Sequence, residues 1–185
     1  MVHLKSKSEI ERIRASCRIA ADAMACVRDA LATGVTTAVL DEIAADYIRS
    51  QGAVASAKGY RGYPGSICIS INEEVVHGIP GPRQLRAGDI LSVDIAVKKD
   101  GYHGDMNVSF PTGPVSEEAT RLMETTREAM NIGLQASVAG ARLGDVGHVI
   151  QRRVEVEGFS VVRDYCGHGI GRAFHEEPQL LHFGT

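Results

Sequence analysis

Near the start of the chain, apolar residues recur at helical spacing. Ile10, Ile13, Cys17, Ala20, Met24, Val27 and Leu31 fall on one face, the stripe expected of an amphipathic helix lying on a core. Ser8 and Glu11 form a candidate capping box, because each side chain can satisfy a free backbone amide in the other's turn. Gly34 interrupts the pattern. Leu40, Ile43, Ala44, Tyr47 and Ile48 make a second stripe closed by Gly52, which predicts a helix ending on a residue suited to positive φ. From Ser66 the period shortens to two. Ile67, Ile69 and Ile71 alternate, and segments 90–97 and 102–110 flank Lys99, Asp100 and Gly101, where Asp-Gly is a strong hairpin signal. Helical spacing then returns. Ser116 can cap a helix carrying Leu122, Met123, Ala129, Met130 and Leu134, and a further helix carries Val146, Val149, Ile150 and Val154 before Gly158. Val161 and Val162 open a new strand-like stretch.

The two helical pairs are spaced alike. Gly34 and Gly52 have counterparts in Gly140 and Gly158, each 106 positions further on, and Ser8 has one in Ser116, 108 further on. The repeat is one of spacing and not of identity. It implies two halves of one architecture, each two helices followed by strands. Carried forward by the same offset, the hairpin's counterpart falls at about residues 195 to 215, past Thr185. The expectation is a single catalytic domain over residues 1–185 whose second half is incomplete and lacks its C-terminal strands.

Composition narrows the function classes. The 185 residues are 44% hydrophobic and 23% charged, with a net charge of −3, an ordinary soluble balance without the basic footprint that specific nucleic-acid binding needs. The adjacent pairs Arg152-Arg153 and Lys98-Lys99 are read as solvated faces. No apolar run approaches the roughly 18 residues of a membrane span, and the N-terminal residues contain no signal-peptide core. Cys17, Cys26, Cys68 and Cys166 are scattered without CxxC spacing, as expected of reduced thiols. These features point to the cytoplasm and to no membrane partner.

Three clusters carry candidate chemistry. Asp94 lies in an otherwise apolar strand, where an unpaired carboxylate is costly to bury, and Asp105 follows the turn. A two-residue loop at Asp100-Gly101 sets Asp94 opposite Asn107 and Asp105 opposite Ala96; a loop shifted by one residue pairs the two aspartates directly. Either register puts both on one face of the hairpin, within reach of a shared cation or a shared proton, although two surface aspartates beside a turn would look the same. The second cluster is CGHGIG at 166–171 followed by FHEEP at 174–178. Glycines around His168 let its ring face a crowded site, and acidic neighbours of His175 can orient an imidazole. A thiolate zinc site using Cys166, His168 and His175 is the alternative, with no evident fourth ligand. The third cluster runs from Tyr60 and Tyr63 through Cys68 to His77, which leaves a strand into Gly-Ile-Pro at 78–80. It reads either as the mouth of a site or as a turn histidine with packing tyrosines.

The run SICISINEEVVHGIP at 66–80, GYHGD at 101–105, CGHGIG and FHEEP, in this order, resemble the type I form of the methionine aminopeptidase family. The likeness covers nearly the whole chain. It implies the pita-bread fold, a pseudo-twofold α/β (α+β) architecture with a curved antiparallel sheet and helices on its outer face. Creatinases and proline-specific aminopeptidases share that fold but carry a large N-terminal domain, and type II members carry a helical insertion; neither feature is seen here, nor is a zinc-finger extension.

By the same resemblance, Asp94, Asp105 and His168 are metal ligands, with Asp105 bridging two divalent ions of cobalt, manganese, iron or zinc. His77 and His175 contact substrate and steady the transition state. Tyr60, Tyr63, Cys68 and Phe174 line the methionine pocket. The implied activity is removal of the N-terminal methionine from peptides or nascent chains near the ribosome by metal-activated water, in a usually monomeric enzyme. Two departures stand out. Met106-Asn107 replaces a hydroxyl residue common after the bridging aspartate, and the family's two glutamate ligands correspond to positions past Thr185, so little turnover is expected of residues 1–185 alone. Rival readings are a pita-bread binding protein without catalysis and a hydrolase using one metal held by Asp94, Asp105 and His168.

Overall fold

The first helix, α1 (Lys7–Asp29), is capped two residues earlier than expected. In the computed structural model, which describes residues 1–184, Ser6 and not Ser8 forms the capping box. Its hydroxyl accepts from Glu9 N–H at 3.3 Å, and Glu9 accepts from Ser6 N–H at 2.9 Å. Both Ser-x-x-Glu pairs are available locally. The tie is broken from far along the chain, where the Tyr102 hydroxyl donates to Glu9 at 2.8 Å. The helix also ends before Gly34, which leaves Leu31 outside it.

Two compact units divide the chain, one comprising residues 4–115 and 170–174, the other residues 1–3, 116–169 and 175–185. In the first, α1 is followed by α2 (Thr37–Ser50), β1 (Val54–Ala55), a 3-10 turn (Tyr60–Gly62), β2 (Cys68–Ile71), β3 (Ile90–Lys99) and β4 (Tyr102–Pro111). Strand β3 is central: β4 pairs along one edge, while β1 and β2 share the other, all antiparallel. Asp100 (φ 48°) and Gly101 (φ 81°) make the tight turn, so Lys99 pairs with Tyr102. Two successive positive φ values are what a type I′ hairpin turn requires.

The core lies between this sheet and the two helices. Ala20, Ala23, Met24 and Val27 of α1 and Leu40, Ala44 and Ile48 of α2 meet Ile69, Ile71, Leu91, Val93, Ile95 and Val97. The α1 face is made of small residues, because the helix backbone runs directly over Gly104, where a Cβ would sit 2.4 Å from Cys17 N. Ile10, read as part of the buried stripe, is 43% exposed. Ser16 is fully buried at the same junction; its hydroxyl accepts from Lys99 N–H and donates to the Tyr102 carbonyl. Asp41 of α2 accepts from the Ser66 and Ile67 amides at 2.7 and 2.8 Å, which fixes the approach to β2.

The second unit contains α3 (Glu117–Ala136), capped by Ser116 as expected, α4 (Leu143–Val156), and a two-stranded ladder of β5 (Gly167–Gly169) and β6 (Glu176–Leu180). Arg153 ties α4 to Glu128 of α3 and to Glu157. Thr125, Ala129 and Gly133 form the buried row of α3, and Ile150 of α4 packs onto Gly133. Leu122, Met130 and Leu134, in the expected apolar stripe, are 41%, 51% and 64% exposed. No strand forms at Val161 and Val162.

The spacing repeat is real at the level of hydrogen bonds. Helices α2 and α4 are both 14 residues long. Ala53 N–H donates to Ile48 O at 3.2 Å, and 106 positions on Phe159 N–H donates to Val154 O at 3.3 Å. Gly34 and Gly140 have φ of 91° and 92°. The serine caps, by contrast, are Ser6 and Ser116, so that pair is 110 apart. Among the described residues no helix is long and apolar enough to cross a membrane.

Candidate functional site

Alternation sorts the first unit's sheet into two faces. Val93, Ile95, Val97 and Met106 point toward the helices. Asp94, Ala96, His103, Asp105 and Asn107 share the other face, with Cys68 opposite Asp94 across β2 and β3. Of the two registers open from the sequence, the hairpin takes the one with Asp94 facing Asn107 and Asp105 facing Ala96. The two carboxyls still meet on the diagonal, where their side chains share a hydrogen bond.

Burial pushes the Asp105 carboxyl above the usual carboxylate range; the bonds with Asp94 and the Met106 amide pull the other way without cancelling it. A half-buried acid pair of this kind holds a proton between its members or exchanges it for a cation. Hard oxygen donors on a rigid hairpin therefore fit a divalent metal ion. The departure at Met106-Asn107 is also accounted for. Met106 faces the core beside Ile95, and Asn107 takes a hydrogen bond from Ser92 Oγ at 2.9 Å.

Burial, reinforced by the Asp94 and Asp105 carboxylates, raises the Cys68 thiol to about 11, despite an opposing hydrogen bond with Tyr63. It therefore stays neutral near pH 7, which does not suit it to be a thiolate ligand. Tyr63 is likewise held protonated by burial. Its hydroxyl donates toward the Gly78 carbonyl at 2.8 Å and the Ile67 carbonyl at 3.2 Å. Gly78 is gripped from three sides, since its carbonyl also accepts from Ile69 N–H at 2.9 Å and its amide donates to Ser70 Oγ at 3.1 Å. That grip holds His77 at φ 60°, a backbone state uncommon outside glycine and one that marks positions over-determined by their surroundings.

An aromatic group stands beside these residues. Phe174 packs edge-on against Tyr60, with centroids 5.2 Å apart and planes at 68°. On another side it stacks on His103 at 5.4 Å with planes only 5° apart. His103 is buried and its Nδ1 lies 2.8 Å from Ser56 Oγ.

The second unit brings His168 and His175 together, ring centroids 4.1 Å apart. His168 stands on β5, and its Nδ1 lies 2.9 Å from the Gly169 carbonyl. A carbonyl can only accept, so Nδ1 carries a proton, and in the neutral tautomer Nε2 is then the nitrogen that could take a metal ion. Among the described residues of either unit taken by itself, no group of three or more His, Cys, Asp or Glu side chains is gathered to hold a metal ion, so the thiolate site conceivable from Cys166, His168 and His175 is not formed. The chain thus supplies a carboxylate pair in one unit and an imidazole pair in the other.

Sequence reading missed Ser56, His103 and the grip on Gly78. His103 had one available signal: it lies two residues before Asp105 on the same strand face. Ser56 and Ser70 had none, because their roles arise from tertiary contact.

The sequence matches metallopeptidase family M24 over residues 11–185. It is 46% identical over 184 residues to methionine aminopeptidase 1 of Bacillus subtilis, covering 100% of this chain and 74% of that relative. Against the methionine aminopeptidase of Escherichia coli K12 the identity is 46% over 186 residues, with 100% and 70% covered. The crystal structure of methionine aminopeptidase from Rickettsia prowazekii superposes with a TM-score of 0.98 at 38% identity, covering 100% of this chain and 75% of that one. The architecture is therefore the pita-bread fold expected from the motifs.

Proposed function

The chain belongs to the methionine aminopeptidases of metallopeptidase family M24, and on that premise we propose that it removes the N-terminal methionine from peptides and nascent chains by metal-assisted hydrolysis. The observation that carries this reading is the diagonal Asp94–Asp105 pair, a half-buried acid couple on a rigid hairpin whose charge calls for a cation. The family depends on divalent metal. We infer two ions, drawn from cobalt, manganese, iron or zinc, for which mixed carboxylate and imidazole donors are suited.

Asp94, Asp105 and His168 are the residues of this chain that would hold the metal. The ions, when bound, supply Lewis-acid polarisation of the scissile carbonyl and a water more acidic than bulk. The protein's own side chains do the rest. His77 and His175 hydrogen-bond the carbonyl oxygen and adjacent amide, and stabilise the charge that develops there. Tyr60, Tyr63, Cys68 and Phe174 wall an apolar cleft for an unbranched thioether, to which neutral sulfur and aromatic surfaces are well matched. The two units act as halves of one catalytic domain over residues 1–185. The setting we propose is a cytoplasmic monomer working on N-termini near the ribosome, with no specific nucleic-acid or membrane partner.

The test is release of methionine from a Met-Ala-Ser peptide by metal-loaded protein. It is run on residues 1–185 and on the same residues continued by the remaining quarter of the Bacillus subtilis relative. Release that disappears with chelator and returns with manganese or cobalt supports the reading. No metal-dependent release from either form overturns it. Metal counting on the same samples separates a two-ion site from a mononuclear one.

A further inference from the structure

His103 is a buried, hydrogen-bonded imidazole that no step above uses. It is only 7% exposed and is held from two directions. Its Nδ1 meets Ser56 Oγ at 2.8 Å, and its backbone N–H donates to the Gly171 carbonyl at 2.8 Å. Ser56 is itself fixed to the sheet, its N–H donating to Ala96 O at 2.8 Å. The loop beginning at Gly171 turns back on itself, with Gly171 N–H donating to the Ala173 carbonyl at 3.2 Å, and delivers Phe174 onto the imidazole face. The far contact of Phe174 is the edge of Tyr60. A continuous path therefore runs from the sheet through Ser56, His103 and Phe174 to Tyr60.

We propose that His103, locked by Ser56, is a positioning residue that sets the plane of Phe174 and so the width of the cleft for the substrate's first side chain. This rests on the reading above that Phe174 and Tyr60 line that cleft. The chemistry explains why a histidine stands there. A planar ring offers a face for Phe174, and a ring nitrogen at its rim engages the half-buried Ser56 hydroxyl. Leucine would fill the space without either feature, and phenylalanine would stack but leave Ser56 without this partner. A ring with near-parallel support on one side and an edge contact on another keeps one χ2 setting, which is what discrimination between unbranched and branched side chains needs.

The test pairs Ser56→Val, which removes the hydroxyl, with Ser56→Thr, which keeps it at nearly the volume of valine; His103→Leu is the more drastic variant. Loss of a neutral hydrogen bond of ordinary strength corresponds to about threefold to tenfold. In Ser56→Val and His103→Leu, KM for a Met peptide should rise by that factor with kcat nearly unchanged. Preference for Met over Leu peptides should fall in parallel, and Ser56→Thr should restore both. A second readout needs no turnover. The chain has four phenylalanines, so 4-fluorophenylalanine labelling yields a small fluorine spectrum in which Phe174→Leu assigns one line. That line should shift and broaden in Ser56→Val and not in Ser56→Thr. An unmoved Phe174 line overturns the proposal, even should His103→Leu fail to fold. A moved line with KM and selectivity unchanged overturns the specificity role. Absence of Met-peptide turnover in every unsubstituted form is the distinct failure of the pocket reading and removes the specificity role with it.

Discussion

Asp105 stands two pairs along the hairpin from Asp94, opposite Ala96, while Asp94 stands opposite Asn107. The diagonal lets two carboxyls on one face share a hydrogen bond, with Asp105 the one whose ionised form burial disfavours. Replacing Asp105 by Asn should have effects of opposite sign on two properties. Metal affinity should fall by at least the ~10- to 100-fold that loss of an outer partner costs, and by more than in Asp94→Asn. The metal-free protein, in contrast, should gain stability near neutral pH. A carboxyl with a raised folded-state pKa favours folding at low pH and loses that contribution as pH rises through the raised value; asparagine removes the loss. Manganese titration calorimetry and thermal melts without metal check both halves, and equal metal losses in the two variants would count against a bridging role for Asp105.

Gly104 lies between His103 and Asp105 because the α1 backbone occupies the space a side chain would need. Gly104→Ala should destabilise the protein by about 3 kcal/mol, the upper end of overpacking costs. The obstacle is backbone, not a rotatable side chain. Urea melts measure this. A loss below about 1 kcal/mol would mean that α1 yields easily.

Tyr63 should matter to catalysis through His77. Removing its hydroxyl in Tyr63→Phe frees one of the grips on Gly78 and should lower kcat about fivefold, the equivalent of one ordinary hydrogen bond. In a His77→Ala background the same change should cost nothing, because the residue being oriented is gone. The four-variant kinetic cycle decides; additive losses would place Tyr63's effect elsewhere.

Glu9 governs the acid side of stability. Hydrogen bonds from the Ser6 amide, the Tyr102 hydroxyl and the Ser6 hydroxyl, together with Arg172, hold its pKa at about 2. A depressed carboxylate contributes stability that is complete above its ordinary value and is lost as pH falls toward the depressed one. Melting temperature should therefore drop on acidification across that window, and Glu9→Gln should flatten the drop while lowering stability at neutral pH. An unchanged acid limb in the variant would show that Glu9 is not the group responsible.

How much could be read in advance depended on how local each cause was. The Asp100-Gly101 turn is compatible with two registers, but both put Asp94 and Asp105 on one face, so that common face was legible in the sequence alone. The choice between Ser6 and Ser8 was not, since Tyr102, remote in sequence, decides it. Periodicity located α3 correctly but misjudged its buried face. Ala129 of the expected stripe is buried, but its neighbours in the row are Thr125 and Gly133, a polar and a small residue that hydrophobicity does not select. His103 was visible only as one letter of a motif; its partner Ser56 is 47 residues away in sequence.

The buried Ser16 hydroxyl joins α1 to the hairpin across a sequence separation of 86 residues. As the polypeptide emerges during synthesis, α1 is complete long before β4 exists to cover it, whereas the hairpin, with a two-residue turn, can zip as soon as its strands appear. The helix must therefore wait, exposed, through the making of half the protein. The part of its inner face nearest the hairpin is suited to the delay: Ser16, Ala20 and Ala23 present little apolar surface, and the larger Met24 and Val27 follow only toward the helix end. The close approach over Gly104 thus also limits the apolar surface that this part of the helix shows before the hairpin exists.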